Sequence, residues 1–141
     1  MTARRFVDTN ILLYAVSTSP GEKAKAEAAR RILESDDLGF SMQVFQEFYV
    51  QATHPARAGR TSHENALEFI RELSGFPVQE IDLELFEAAV ATKHRFGISY
   101  WDAAVIEAAR ALGCLTVLSE DLSGRQDYGG VRVMNPFVAA P

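Results

Sequence analysis

The sequence predicts an α/β fold, with a central, mainly parallel, twisted sheet of four to five strands and helices on both faces. The 141-residue chain is 48% hydrophobic and 23% charged, which is ordinary for one folded globular domain. Short apolar runs alternate with longer segments of helical periodicity. Strands that alternate with helices pair in parallel through right-handed crossovers. We therefore expect a single domain over residues 1–141.

The predicted strands are short apolar runs. The first closes on Asp8, and the fourth is suited to burial on both faces of a sheet. In chain order, the predicted strands are residues 5–8, 39–41, 78–81, 115–118 and 131–133.

The predicted helices lie between residues that start or stop helices. Asn10 can cap a brief first helix, His54-Pro55 ends the third, and Gly97 and Gly113 end the last two. The second shows alanines at helical spacing among charged residues, which is typical of an amphipathic surface helix. The predicted helices are residues 11–14, 22–34, 43–53, 63–73, 83–96 and 99–112.

Charge and cysteine content narrow the classes of function. Fourteen Lys and Arg against nineteen Asp and Glu give a net charge of -5, so any contact with nucleic acid must be local. The single cysteine, Cys114, cannot form an internal disulfide, which indicates a reducing compartment. The apolar run at residues 11–16 is shorter than a secretory core or a membrane span. We expect a cytoplasmic protein.

Two acids follow predicted strands directly. Asp8 closes the first strand, and Asp121 comes shortly after the fourth. Binding sites of open α/β sheets form outside the carboxyl ends of the strands, which makes both acids candidate site residues. Taken singly, Asp8 is also explained as a helix start and Asp121 as a turn former.

Two further acids lie on predicted helices. Asp102 stands three residues after Ser99 in the form of a capping box, yet it heads an apolar helical stripe. Glu47 belongs to a polar strip with Gln43 and Gln51 at a spacing of four, for which a solvated helix edge is the ordinary explanation.

Together, the four acids predict a metal site. Their mutual repulsion at one point of a parallel sheet requires a counter-charge, and no basic residue occurs within two positions of any of them. Oxygen ligands without nearby His or Cys suit Mg²⁺ or Mn²⁺ better than zinc.

Four ordered segments resemble the PIN-domain nucleases, in particular the VapC toxins of bacterial type II toxin-antitoxin pairs. They are FVDTNILLY at 6–14, SMQVFQEF at 41–48, SYWDAAVIEAA at 99–109, and LSEDL at 118–122 followed by GVRVMNPF at 130–137. The resemblance implies a PIN-like three-layer α/β/α sandwich. It also implies that Asp8, Glu47, Asp102 and Asp121 are the metal-binding, catalytic acids, with Thr9, Asn10 and Ser119 as supporting polar neighbours.

One departure from the family pattern concerns the last segment. Many relatives carry two acids there separated by one residue, whereas position 123 is Ser in this chain. Glu120 could partly substitute for the missing acid.

The resulting hypothesis is a metal-dependent endoribonuclease. One ion, held chiefly by Asp8 and Asp102 with Glu47 bound directly or through water, would activate water and polarise the phosphate. Asp121 would orient that water or hold a second ion. The resemblance further implies 5'-phosphate and 3'-hydroxyl products, a homodimer, and a cognate antitoxin that blocks the site.

Other surfaces could contact RNA or a second subunit. The candidates for phosphate binding are Arg57 and Arg60 in a basic loop, and Lys93 and Arg95 before Gly97, although each is also an ordinary solvated charge. An aromatic cluster is explained mainly by core packing, with part of it available for an interface. It consists of Phe40, Phe45, Phe48 and Tyr49.

Three alternatives stay open. A PIN nuclease of RNA processing without an antitoxin would look nearly identical. A phosphoryl-transfer domain could use Asp8 as a covalent nucleophile, but the Lys that such a site usually needs does not follow residues 115–118. A catalytically silent PIN interaction module is disfavoured by the presence of all four acids.

Overall fold

The computed structural model describes residues 2–122 and 126–138, which form a sheet with helices on both faces. The strands are β1 Arg5–Val7, β2 Leu38–Ser41, β3 Val78–Gln79, β4 Thr116–Leu118, β5 Asp127–Tyr128 and β6 Val131–Met134. The α-helices are α1 Thr9–Ala15, α2 Lys23–Leu33, α3 Met42–Ala52, α4 His63–Leu73, α5 Leu83–Phe96 and α6 Tyr100–Ala111. The α/β architecture predicted from the sequence is confirmed.

The sheet has the strand order β3-β2-β1-β4-β6-β5. The first five of these strands pair in parallel, and β5 joins β6 antiparallel at one edge. The chain builds outward from β1 on one side and then returns to its other side with β4. The strand order thus reverses between β1 and β4, which is where ligand crevices form in open parallel sheets. The sequence did not reveal β5, because two residues are too few to show alternation.

The predicted helix bounds hold within two residues, but the predicted cap of α1 is wrong. Asp8, not Asn10, caps this helix, and the Asp8 Oδ1 accepts a hydrogen bond of 2.8 Å from the Thr9 backbone N–H. Asn10 lies inside the first turn, where its side chain is free to reach across the sheet. Gly97 ends α5 in the left-handed conformation, with φ of 65°, as a C-terminal glycine does.

Most of the predicted aromatic cluster belongs to the hydrophobic core. Phe40, Phe45 and Phe48 are buried, Phe40 stacks on Phe45, and Phe48 stacks on Phe69. These three rings are therefore core residues, as expected for most of the cluster. Only the half-buried Tyr49 keeps an accessible edge.

The α5–α6 pair covers part of the sheet through small residues. Ala89, Ala103 and Ala104 are buried between these helices, and α6 packs on strands β2, β3, β4 and β6. Close approach of α6 to the sheet brings its first turn beside the ends of the central strands. Within the described residues, no helix has both the length and the apolarity that crossing a bilayer requires.

Candidate active site

Three adjacent strands deliver the first site residues to one edge of the sheet. β2, β1 and β4 are parallel neighbours, so their carboxyl ends lie side by side. Asp8 follows β1, and its backbone N–H donates to the Leu118 carbonyl at the end of β4. Ser41 ends β2 and immediately caps α3 by accepting a hydrogen bond from the Val44 backbone N–H. Helix α3 therefore begins at the same edge.

The four predicted acids line a single cleft at this edge, with a volume of about 120 Å³. They come from the end of β1, from α3, from the first turn of α6 and from the segment after β4. Side chains that the sequence hypothesis did not assign to the site also line it. Among the described residues, the lining consists of Asp8, Thr9, Asn10, Leu13, Gln43, Glu47, Gln51, Trp101, Asp102, Val105 and Asp121.

Asp8 lies at the bottom of the cleft and is only 8% exposed. Its Oδ2 accepts a hydrogen bond of 2.7 Å from the Ser119 hydroxyl, and its Oδ1 accepts from the Thr9 backbone N–H. Burial raises the pKa of Asp8 to about 6 against these hydrogen bonds, and the negative charges of Glu47 and Asp121 add to the rise. The carboxylate is thus held in place, and no side chain in the described part of the chain forms a salt bridge with it.

Asn10 and Ser119 connect Asp8 to Asp121. The Asn10 side-chain amide donates to the Ser119 hydroxyl and to the Asp121 Oδ2, both at 3.1 Å, while the Asn10 Oδ1 accepts from the Glu120 backbone N–H. The Ser119 oxygen also accepts from the backbone N–H groups of Asp121 and Leu122. These contacts bind the segment after β4 to α1 and orient Asp121.

Glu47 is oriented by two neutral donors. Its Oε1 accepts from the Gln43 amide at 2.8 Å, and its Oε2 accepts from the Thr9 hydroxyl at 3.1 Å. The polar strip on α3 thus lines the cleft, with Gln43 buried, Glu47 half-buried and Gln51 exposed.

Asp102 is half-buried in the first turn of α6. Its backbone N–H donates to the Ser99 hydroxyl, so the predicted cap exists. Burial raises the pKa of Asp102, the Ser99 side chain opposes the rise, and the charges of Asp121 and Glu47 increase it. Asp102 can therefore take part in the helix cap and in the cleft at the same time, because its backbone N–H bonds to the cap residue Ser99 while its carboxylate faces the cleft.

The cleft carries unbalanced negative charge. Each salt bridge found in the described residues lies elsewhere, and none includes any of the four acids. Two of the acids have raised pKa values, and all four offer oxygen atoms only. This donor set fits a hard divalent cation.

The spacing of the acids indicates how such an ion would be held. Over residues 2–122 and 126–138, no three acidic, histidine or cysteine side chains are grouped tightly enough to coordinate one ion directly. An ion in the cleft would bind one or two carboxylates directly and the others through water, which is the usual mode for Mg²⁺.

Glu120 does not replace the acid that is missing at position 123. Its carboxylate accepts hydrogen bonds from Tyr14 and Lys25, outside the cleft. Partial burial would raise the pKa of Glu120, but the hydrogen bonds from Lys25 and Tyr14 and the charge of Lys25 outweigh it and lower the pKa. Glu120 thus braces the segment that carries Asp121. Ser123 itself lies outside the described residues.

None of the four predicted RNA-binding residues lines the acidic cleft. Arg60 lines a separate groove between the end of α1 and the start of α4, and Arg57 precedes it in the same loop. Lys93 and Arg95 lie in the last turn of α5, where the Arg95 guanidinium sits over the Phe96 ring.

Sequence reasoning missed Trp101 as a site residue. Its side chain is 64% exposed and lines the cleft beside Asp102. One signal could have identified it. Trp101 directly precedes Asp102, and the apolar stripe of the same helix already supplies the residues that pack on the sheet, so a tryptophan is not needed there for the core.

Comparison with known proteins places these features in a family. The PIN domain model matches residues 5–123, whereas no curated protein matches the chain. Similar solved structures include a toxin-antitoxin complex from Klebsiella pneumoniae, with 20% identity, a TM-score of 0.67, and 94% of this chain and 98% of that chain covered. VapC20 of Mycobacterium tuberculosis, a sarcin-ricin loop cleaving toxin, has 21% identity, a TM-score of 0.64, and 83% and 91% coverage. DNA-bound VapBC from Salmonella typhimurium has 16% identity, a TM-score of 0.67, and 96% and 99% coverage. The family model covers most of the chain and ends within the acidic segment after β4, and the chain therefore belongs to the PIN domain family.

Proposed function

We propose that this protein is a Mg²⁺- or Mn²⁺-dependent endoribonuclease that acts as the toxin of a toxin-antitoxin pair. The observation that carries the proposal is the gathering of Asp8, Glu47, Asp102 and Asp121 around one cleft, where no salt bridge among the described residues includes any of them. Support for the toxin assignment comes from structural neighbours that are themselves toxins or toxin-antitoxin complexes.

The acids of the cleft would differ in how they bind the ion. A bound divalent cation supplies Lewis-acid activation of water and of the scissile phosphate. Asp8 and Asp102 would hold it, and Glu47, which the Gln43 amide and the Thr9 hydroxyl orient, would bind it directly or through water. Each oxygen of a carboxylate has two lone-pair sites, so the hydrogen bonds to Asp8 leave capacity for an ion.

Asp121 would orient the attacking water or contribute to a second ion. Its position depends on the Asn10 amide and on the brace between Glu120 and Lys25. Ser119 would fix the Asp8 carboxylate from the protein side, because its hydroxyl donates to Asp8 and accepts three other hydrogen bonds.

Partners follow from the same proposal. A cognate antitoxin would close the acidic cleft, and a second copy of the chain would cover the exposed apolar stripe on α5. That stripe consists of Leu83, Phe86 and Val90, with exposures of 70%, 49% and 42%. A monomer at high concentration in sedimentation would contradict the homodimer.

Nuclease activity is tested with purified wild type and Asp8→Asn on RNA. We expect cleavage by the wild type with Mg²⁺ or Mn²⁺, loss of cleavage in EDTA, and none by the variant. Cleavage that survives both EDTA and the substitution would refute the mechanism. Failure to bind Mn²⁺ in calorimetry would favour a silent interaction module.

The toxin assignment is tested by induced expression in cells. Growth arrest by the wild type but not by Asp8→Asn, relieved by co-expression of a small protein encoded next to it, supports a toxin. Cleavage in vitro without growth arrest would favour an RNA-processing nuclease that has no antitoxin.

A further inference from the structure

Trp101 presents an aromatic surface at the acidic cleft. It is the only tryptophan in the chain, it is 64% exposed, and it lines the cleft together with Asp8 and Asp102. Burying an indole in the core would stabilise the fold through the hydrophobic effect. Because Trp101 is mostly exposed, most of that stabilisation is absent. Core packing therefore does not explain why a tryptophan occupies position 101.

The indole is held in a defined position despite its exposure. Its ring meets Tyr100 edge to face, with centroids 5.1 Å apart and planes at 84°, and Tyr100 in turn contacts the Phe86 ring. The Trp101 backbone carbonyl accepts a hydrogen bond from the Gln43 amide, the same amide that orients Glu47. The backbone of Trp101 is thus held by the same Gln43 side chain that orients Glu47.

We propose that Trp101 stacks on a nucleobase of the RNA that occupies the cleft, next to the phosphate that is cleaved. This inference rests on the proposed nuclease function and adds a subsite to it. An acidic cleft repels the phosphate backbone wherever an ion does not neutralise it, and the chain has a net charge of -5. Substrate affinity must therefore come partly from uncharged contacts, and base stacking on an aromatic side chain is such a contact for single-stranded nucleic acid.

The stacking surface also has a consequence for the choice of substrate. A base can stack on Trp101 only when it is unpaired, so the subsite selects single-stranded or looped RNA. Stacking tolerates every base, so Trp101 would select unpaired structure more than sequence.

The test uses Trp101 as its own reporter, in the full chain with the Asp8→Asn substitution so that RNA is not cleaved. Short single-stranded RNA is titrated in Mg²⁺ while tryptophan fluorescence and fluorescence anisotropy of labelled RNA are recorded. We expect the indole emission to be quenched on binding. Replacing one nucleotide near the scissile phosphate by an abasic nucleotide should abolish the quenching.

Matched variants separate stacking from folding. Trp101→Ala should weaken RNA binding by about 5- to 100-fold and remove the dependence on that base, while Trp101→Phe should recover part of the affinity. Leu115→Ala, which truncates a 68% exposed residue just before β4, away from the carboxyl ends of the strands, should bind RNA like its parent.

RNA that binds without quenching, and equally well to Trp101→Ala, overturns the stacking site but leaves the nuclease proposal intact. RNA that binds to none of the proteins overturns both. A change of sedimentation state in Trp101→Ala, with RNA binding per subunit unchanged, assigns the indole to a subunit contact and also overturns the site.

Discussion

Replacing Asp8 by Asn should reverse the order of stability between variant and wild type as pH rises in the absence of divalent ions. In the folded protein the pKa of Asp8 is raised from 3.8 to about 6, chiefly by burial. A carboxyl whose pKa is higher in the folded state binds its proton more tightly there, so the contribution of Asp8 to stability is greatest below pH 3.8 and is lost as pH rises through 6. The difference of about 2.2 pKa units corresponds to about 3 kcal/mol of free energy of unfolding.

The hydrogen bonds of Asp8 have the opposite effect on the stability of the variant. An Asn oxygen can replace the acceptor for the Thr9 backbone N–H, but its amide cannot accept from the Ser119 hydroxyl. Losing that bond costs about 1–2 kcal/mol at every pH. Asp8→Asn should therefore be about 1–2 kcal/mol less stable than wild type near pH 4 and about 1–2 kcal/mol more stable near pH 7.

Urea denaturation followed by circular dichroism, in EDTA between pH 4 and pH 8, measures this crossover. Asp36→Asn serves as the control, since it removes an exposed acid outside the cleft. Mg²⁺ at pH 7 should then stabilise the wild type more than Asp8→Asn, because the variant keeps Asp102 but lacks the charge of Asp8. A stability difference for Asp8→Asn that stays constant across pH would refute the assignment of an uncompensated buried charge.

Three further variants test other features of the structure. Ser119→Ala should raise the Mg²⁺ concentration needed for half-maximal RNA cleavage by roughly 10-fold, because the hydroxyl that donates to the Asp8 carboxylate and orients it is lost; an unchanged requirement would exclude this role. Glu107→Gln should lower the free energy of unfolding by about 1–3 kcal/mol in urea, since the buried carboxylate accepts from Thr92 and Arg110, yet it should leave cleavage per folded molecule intact. Arg57→Ala with Arg60→Ala should weaken RNA binding and reduce the slope of log K against log salt by roughly 1.4; identical slopes would show that this loop does not bind phosphate.

The layout of the fold was predictable because its signals are local. The N-cap residues Ser41, Ser62, Asp82 and Ser99 precede helices whose predicted bounds agree with the structure within two residues. Strand β5 was missed because its two residues are held by pairing with β6, a contact that no local pattern encodes. The capping role of Asp8 was missed because Asp8 and Asn10 are both good helix caps, and only the path of the backbone decides between them.

The acids of the site could be proposed from sequence, whereas their environment could not. Asp8, Glu47, Asp102 and Asp121 were each open to an ordinary explanation, and the structure shows that all four line one cleft. Burial of Asp8, and the use of Glu120 by Lys25 and Tyr14, depend on residues that are far away in the chain.

For this protein, the amino-acid sequence by itself determined the alternation of strands and helices, the acidic residues and their oxygen-only chemistry, because periodicity, capping and side-chain type are properties of neighbouring residues. Only the tertiary structure decided which acids are buried, which are braced outside the cleft, and that Trp101 stands beside them. Desolvation, charge repulsion and exposure depend on distances through space, and those distances exist only once the parallel strand ends lie side by side.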